Sequence, residues 1–264
     1  MPGAAGVLVP VAVGAFVTAA VLLVVLHVDR RWGPIDPVTA MLSDYAWCPG
    51  WWMWDAALIL TAAGSVAVGA VLHRHRVLPG PLAAAMMAVW CVSVLAVAAF
   101  TKDPQGGAVS VTGKVHLYAT GISCVSLPLV GWLLGRRHRR DLRWYRYAGW
   151  SRGLALAAIP FFLPFIVPFV VNVLLGGHLP TVATGLVERL MIVLELALLV
   201  VLDCEQVAAA DTGVSVRAVA ACAGSATRPE TVTAVVMDRH RRRRGRVVGR
   251  PLVAGMSAGR LWLP

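Results

Sequence analysis

Apolar residues along this chain fall into long blocks separated by short polar connections. Six blocks reach the roughly 17–25 residues that a helix needs to cross a bilayer. They are Val7–Val28, Trp52–Leu72, Pro81–Phe100, Val115–Gly135, Leu154–Leu175 and Leu186–Leu202. The pattern predicts an all-α polytopic transmembrane bundle of six spans over residues 1–204, followed by a segment of different character from 205 to 264. The first block has no basic residues ahead of it and no small-x-small cleavage site before Asp29, so it reads as an uncleaved span.

The polar connections differ in charge. The second carries Arg74 and Arg76, and the fourth carries Arg136, Arg137, Arg139, Arg140, Arg143, Arg146 and Arg152. The tail beyond the sixth block adds a further set, including the run Asp238–Arg246, whereas the opposite side holds only Arg30, Arg31, Lys102 and Lys114. Basic residues concentrate on the cytoplasmic side of a membrane, so both termini are expected there. The first block alone argues the other way, because Arg30 and Arg31 follow it; the global count outweighs it.

Composition agrees with a membrane protein. The chain is 58% hydrophobic and only 14% charged, which excludes an ordinary soluble domain. Its net charge of +11 would suit nucleic acid, but the arginines of the tail have no aromatic residues between them for base stacking, and no nucleic acid partner is expected. The run Arg239–Arg246 is expected instead to meet anionic lipid headgroups, at about 1 kcal/mol per basic residue near the surface. The remainder of 205–264 lacks a sustained apolar period and reads as a disordered cytoplasmic tail. Five cysteines form no disulfide framework: Cys91 and Cys124 fall within spans, Cys204 and Cys222 on the reducing side, and Cys48 alone outside.

Two features stand out against this background. In the fifth block Pro160, Pro164 and Pro168 recur every four residues and Asn172 continues the register, all on one helical face. Proline removes a backbone hydrogen bond, so this face is expected to turn inward to other helices or to water. The second feature is the stretch from Pro34 to Asp55, where Asp36, Asp44 and Asp55 lie among Tyr45, Trp47, Trp51, Trp52 and Trp54. Such aromatics favour the membrane–water boundary.

Other ionisable residues fall at that same outer boundary. Ser43 and Asp44 lie in the first outer loop and Asp55 one turn into the second span. Lys102 and Asp103 follow the third span, His116 opens the fourth, and Glu188 and Arg189 open the sixth. Residues distant in sequence become neighbours at one end of a helical bundle, so these predict a polar pocket. Glu195 lies two turns beyond Glu188 on nearly the same face, about 10 Å deeper at 1.5 Å per residue. A carboxylate at that depth should face the bundle interior, and Arg189 suits an outer-loop aspartate through a bidentate fork. Taken singly, each residue also has a structural reading. Asp44 and Asp103 suit turns and helix starts, and Glu188 suits the positive end of a helix dipole.

The familiar catalytic signatures are missing: there is no G-x-S-x-G, no H-E-x-x-H and no glycine-rich phosphate loop. His27 and His116 lie at span ends rather than as a paired intramembrane set, so no haem or other cofactor is expected. Asp44, Asp103, His116 and Glu188 offer hard O and N donors, but no short ligand spacing marks a metal site and none is expected.

Four motifs carry a family resemblance: M-L-S-D-Y at 41–45, F-x-x-D at 100–103, G-x-x-H at 113–116 and G-x-x-E-R at 185–189. In this order between these spans, the chain from about 35 to 205 resembles the membrane-protein family known as domain of unknown function 998. It departs from that pattern at Leu42, where isoleucine is usual, and at Thr101–Lys102, where a Pro-Thr pair is common. The chain is more distantly similar to the Frag/DRAM/Sfk-type membrane proteins, which are associated with lipid handling. The resemblance implies a six-span fold and marks the motif residues as the site, without implying a reaction.

Three functions follow as expectations for a protein of the bacterial plasma (inner) membrane. In the first, the outer pocket, formed by Ser43, Asp44, Asp55, Asp103, His116, Glu188, Arg189 and Glu195, binds a membrane lipid headgroup or an envelope protein. In the second, a membrane-embedded enzyme acts on a lipid or envelope substrate, with His116 as acid/base beside Asp44 and Asp103. In the third, a proton-coupled transporter uses Glu195 and the proline-bent fifth span.

Overall fold

A computed structural model of the chain describes residues 4–104, 110–141, 144–174 and 184–224. Everything regular among them is helical. Six α-helices follow in order: α1 (Ala4–Val28), α2 (Trp51–Arg74), α3 (Gly80–Ala99), α4 (Val111–His138), α5 (Tyr145–Leu174) and α6 (Thr184–Gly224). A short 3-10 helix, Leu42–Trp47, lies between α1 and α2. Helices α1 to α5, with α6 as far as Gly213, belong to one compact unit.

Among the described residues four helices, α1 to α4, are long and apolar enough to cross a membrane. Their outward faces are studded with large apolar side chains, such as Val17 and Val24 on α1, Val66 on α2 and Val92 on α3. Exposed aromatic residues gather at two levels. Trp47, Trp51 and Trp52 lie where α2 begins, and Tyr145 and Trp150 where α5 begins. This is a multi-pass membrane protein: apolar sides meet lipid, and aromatic belts sit where lipid meets water.

Helices α1 to α5 pack on their sequence neighbours, α1 on α2, α2 on α3, α3 on α4 and α4 on α5. The core joins Val68 and Leu72 of α2, Leu127, Val130 and Leu134 of α4, and Leu198, Leu199 and Leu202 of α6. In lipid such packing draws on close contact rather than on the exclusion of water, so small residues matter. Gly131 of α4 is a case in point: a Cβ there would meet both methyl ends of Leu198 at 2.8 and 2.9 Å and the Ser151 carbonyl of α5 at 3.1 Å. A second cluster, with Leu26, Leu42, Tyr45, Met53 and Trp54, seals the opposite end.

Several boundaries differ from those the hydropathy pattern predicts. Helix α4 begins at Val111 because Ser110 caps it, its Oγ accepting from Gly113 N at 3.0 Å. His116 therefore sits in the second turn instead of opening the helix. Helix α5 starts at Tyr145, ahead of Leu154, so the basic and aromatic stretch before Leu154 forms its first turns. Helix α6 continues through Gly224, past the boundary expected at 204. The tail from 225, with the Arg239–Arg246 run, lies outside the described residues.

The proline face of α5 is not the buried one. Burial follows Ala148, Ser151, Ala155 and Ala158, while Pro160 is exposed and Pro164 half-exposed. Alanine and serine allow α5 to lie close against Gly131 and Gly135 of α4, and the bulkier prolines fall outside that contact. The side chains of Pro168 and Asn172 lie outside the described residues.

Candidate functional site: a cavity beneath a polar clasp

One end of the bundle gathers the polar motif residues. In M-L-S-D-Y, the Asp44 carboxylate folds back on its own 3-10 helix, Oδ2 accepting from Met41 N at 2.7 Å. Its Oδ1 forms an ion pair with Lys102, which follows the C-terminus of α3. The two side chains are only 18% and 10% exposed, so the pair is largely withdrawn from water.

Glu188 approaches the same helix from α6. Its Oε2 accepts from Leu42 N at 2.5 Å, satisfying an N-H at the start of the 3-10 helix. Arg189 takes the adjoining backbone, its Nη1 donating to the Ala40 carbonyl at 2.7 Å and to Gly185 O at 3.0 Å. Its Nε donates to His27 Nε2 at 3.1 Å, while His27 Nδ1 lies 2.7 Å from the Leu23 carbonyl. With one ring nitrogen accepting and the other donating, His27 is held as its neutral Nδ1-H tautomer. The Arg189 fork thus reaches backbone carbonyls and a histidine rather than the aspartate the sequence predicts. The reason is spatial: Lys102 already holds Asp44, and the chain at 38–40 lies directly over the α6 N-terminus.

Tyr45 packs edge-on against His27, with ring centroids 5.3 Å apart. Burial holds its phenol above the usual range, against the opposing pull of Arg189.

The remaining motifs tie α3 to α4. His116 Nδ1 lies 2.7 Å from the carbonyl of Phe100, the residue that ends α3. Asp103 accepts from Ser110 N at 2.8 Å and Ser110 Oγ at 2.6 Å, and these bonds hold its carboxyl below the ordinary value of 3.8. The glycines have a steric role. A side chain on Gly113 would strike the Asp103 carboxylate, and one on Gly185 would strike the Ala40 carbonyl. F-x-x-D with G-x-x-H, and S-D with G-x-x-E-R, are therefore two interlocking contacts, each needing a residue without Cβ.

Beneath this clasp lies a cavity of about 80 Å³. Its wall is mainly apolar, built from α1, α2, α3, α4 and α6. Ser43, His116 and Glu188 line it at the clasp, and Thr61, Thr120, Ser123 and Glu195 continue a polar stripe inward. His116, Thr120 and Ser123 share one face of α4, as Glu188 and Glu195 share one face of α6. Trp54 and Trp90 complete the wall; the indole of Trp90 donates to Ser65 Oγ at 3.0 Å.

The eight residues predicted as a site therefore divide. Ser43, His116, Glu188 and Glu195 line the cavity, while Asp44, Asp103 and Arg189 form the clasp above it. Asp55 joins neither set; it is half-exposed on α2. Neither Asp44 nor Asp103 hydrogen-bonds His116, whose Nδ1 faces Phe100 O. Among the described residues no three His, Cys, Asp or Glu side chains converge as a metal-binding group, and Cys48, Cys91 and Cys124 form no disulfide.

Sequence reasoning missed Thr61, Thr120 and Ser123 as wall residues and Lys102 as the partner of Asp44. The spacing of His116, Thr120 and Ser123 was the available signal on α4: small polar groups three or four residues apart on one face of an apolar helix.

No curated protein and no solved structure matches the chain. A family model does match, over residues 10–203, which takes in all four motifs, the clasp and the cavity. The chain belongs to the family described as "Protein of unknown function (DUF998)".

Proposed function

We propose that this membrane protein binds an amphiphile, a membrane lipid or a molecule of similar chemistry, in the cavity beneath the clasp. The observation that carries this reading is the wall itself. A space between helices, apolar on most sides and with polar groups along it, matches a ligand with an apolar body and a polar end. The clasp residues bond to backbone and to each other, so their role is to hold the helix ends together over the cavity.

The protein works in the plasma membrane with six spans, the last two being α5 and the first part of α6. Both termini are cytoplasmic, which places the clasp at the outer face, where an envelope protein can reach it. The chain beyond the sixth span lies on the cytoplasmic side, with Arg239–Arg246 against anionic headgroups.

Native mass spectrometry of the full-length protein in mild detergent tests the binding reading. A lipid-sized adduct is expected on the wild type and its loss on Ser123→Phe, which fills the cavity. Ser123→Leu, a smaller change, should weaken the adduct. An adduct of equal abundance in all three proteins, or none in any, would overturn the reading.

A second reading, proton-coupled transport, is favoured by one observation: Glu195 is 5% exposed, lines the cavity, and its Oε1 has no hydrogen-bond partner. Glu195→Gln should then abolish proton-driven uptake into liposomes while leaving protein yield unchanged.

A further inference from the structure

The charges around the cavity do not balance. Two carboxylates line it, Glu188 and Glu195, and no lysine or arginine does. Glu188 has compensation from above: it accepts the Leu42 N-H, and Lys102 and Arg189 lie near enough to act on it. Glu195 has none. It is 95% buried, its Oε1 is unpartnered, and no cation of the described residues acts on it. The other titratable groups in the wall are His116 and Cys124 of α4, and neither supplies a fixed positive charge.

A buried carboxylate oxygen without a donor costs free energy until it takes up a proton or until a donor or a cation reaches it. The helices lining the cavity supply apolar groups, the hydroxyls of Thr61, Thr120 and Ser123, and two indole rings. Those hydroxyls are already committed, Thr61 Oγ1 to Ala57 O at 2.7 Å, Thr120 Oγ1 to His116 O at 2.9 Å and Ser123 Oγ to Thr120 O at 2.8 Å. Their protons point along their own helix, leaving the carboxylate to the ligand. Trp54 and Trp90 add aromatic surface, which attracts organic cations through the ring quadrupole.

We propose that the ligand of this cavity is an ammonium group carried on an apolar body, with Glu195 as its counter-ion and Trp54 and Trp90 as its aromatic wall. This deepens the amphiphile reading by assigning a charge and a donor to the ligand's polar end. An ammonium brings what the site lacks: positive charge and N-H donors for the free carboxylate oxygen. The apolar remainder fits the aliphatic part of the wall, which includes Leu58, Val94, Ile192 and Leu196. Two sources offer this chemistry, a free amphiphilic amine and the headgroup of an aminophospholipid.

The test uses full-length protein in dodecyl maltoside and two probes of matched shape, hexylammonium chloride and 1-hexanol, titrated calorimetrically. Hexylammonium should bind the wild type at least tenfold more tightly than hexanol, and Glu195→Gln should remove that preference by weakening hexylammonium binding far more than it changes hexanol binding. Glu195 makes no hydrogen bond that its amide could lose, so this variant should fold, checked by an unchanged melting temperature. Equal binding of the two probes to the wild type, both lost in Ser123→Phe, would overturn the cation preference but leave the amphiphile site standing. Binding of neither probe would overturn both. To separate the sources, the titration is repeated in nanodiscs of phosphatidylcholine with and without phosphatidylethanolamine. Weaker hexylammonium binding where phosphatidylethanolamine is present identifies its headgroup as occupant, and equal binding identifies a free amine.

Discussion

Replacing Gly185 by alanine should be among the most damaging single-methyl changes in this protein. An added Cβ would lie 2.9 Å from the Ala40 carbonyl carbon and 2.9 Å from the Val38 carbonyl oxygen, and closer still to the Ala40 oxygen. All three are backbone atoms, so no side-chain rotation relieves the overlap. The segment 38–40 and the start of α6 must separate, by about 1 Å to restore ordinary contact. That shift strains the bonds holding the two together: Leu186 N to Val38 O at 3.0 Å, Arg189 Nη1 to Ala40 O at 2.7 Å and Glu188 Oε2 to Leu42 N at 2.5 Å. Bonds to charged groups contribute about 1.5–3 kcal/mol each and neutral ones about 1 kcal/mol, while overpacking alone costs about 1–3 kcal/mol. A partial loss shared among them comes to about 3 kcal/mol, equivalent to a fall of about 6–12 °C in melting temperature for a unit of this size. Gly121→Ala is the matched control, because nothing lies within 4 Å of its added Cβ. There the change should be neutral or slightly stabilising, since alanine favours a helix. Melting of both variants in detergent, followed by size-exclusion fluorescence, reads the difference. Coincident curves for Gly185→Ala and Gly121→Ala would refute the interlocking contact.

Three other predictions address the clasp and the topology. Lys102→Met strands the Asp44 carboxylate in a site only 18% exposed and should cost about 2–3 kcal/mol, whereas adding Asp44→Asn to it should cost less than the sum of the two single changes. Additive melting shifts would show that the pair contributes no coupling. Asp103 has its carboxyl held below 3.8 by Ser110, so its contribution to stability is present above about pH 4 and lost as pH falls through its lower folded value. Asp103→Asn should therefore melt below the wild type at pH 7, with the gap narrowing as pH is taken down from about 4; a gap that stays constant on acidification would sink the assignment. In a cysteine-free background, a cysteine at Trp47 should react with an impermeant maleimide on intact cells and one at Arg139 only after permeabilisation, and the reverse order would invert the proposed topology.

The clasp and the cavity place different demands on the chain. Clasp residues bond to backbone across elements, so even conservative changes there should alter stability first. Cavity residues such as Ser123 and Glu195 make few or no bonds beyond their own helix, so their replacement should alter binding first. Abundance and ligand occupancy, measured side by side on Asp44→Asn and Glu195→Gln, should therefore separate.

The sequence alone determined the helical class and the first four membrane-length helices, because length and hydropathy are properties of a contiguous segment and survive any packing. It also determined that Glu188 and Glu195 share a face of α6, since a helix places residues seven apart on nearly one side. It did not determine who meets whom. That Asp44 pairs with Lys102, while Arg189 turns to Ala40 O and His27, depends on how far each helix is rotated and where the 38–40 segment crosses α6. Those rotations come from close contacts between distant residues, such as Gly131 with Leu198 and Gly185 with Ala40, which no local pattern encodes. The proline face of α5 misled for the same reason: periodicity marks a face, but only neighbours decide whether it turns inward. The cavity is wholly tertiary. Its wall comes from five helices and the 3-10 segment, and the space among them is the volume their side chains leave unfilled.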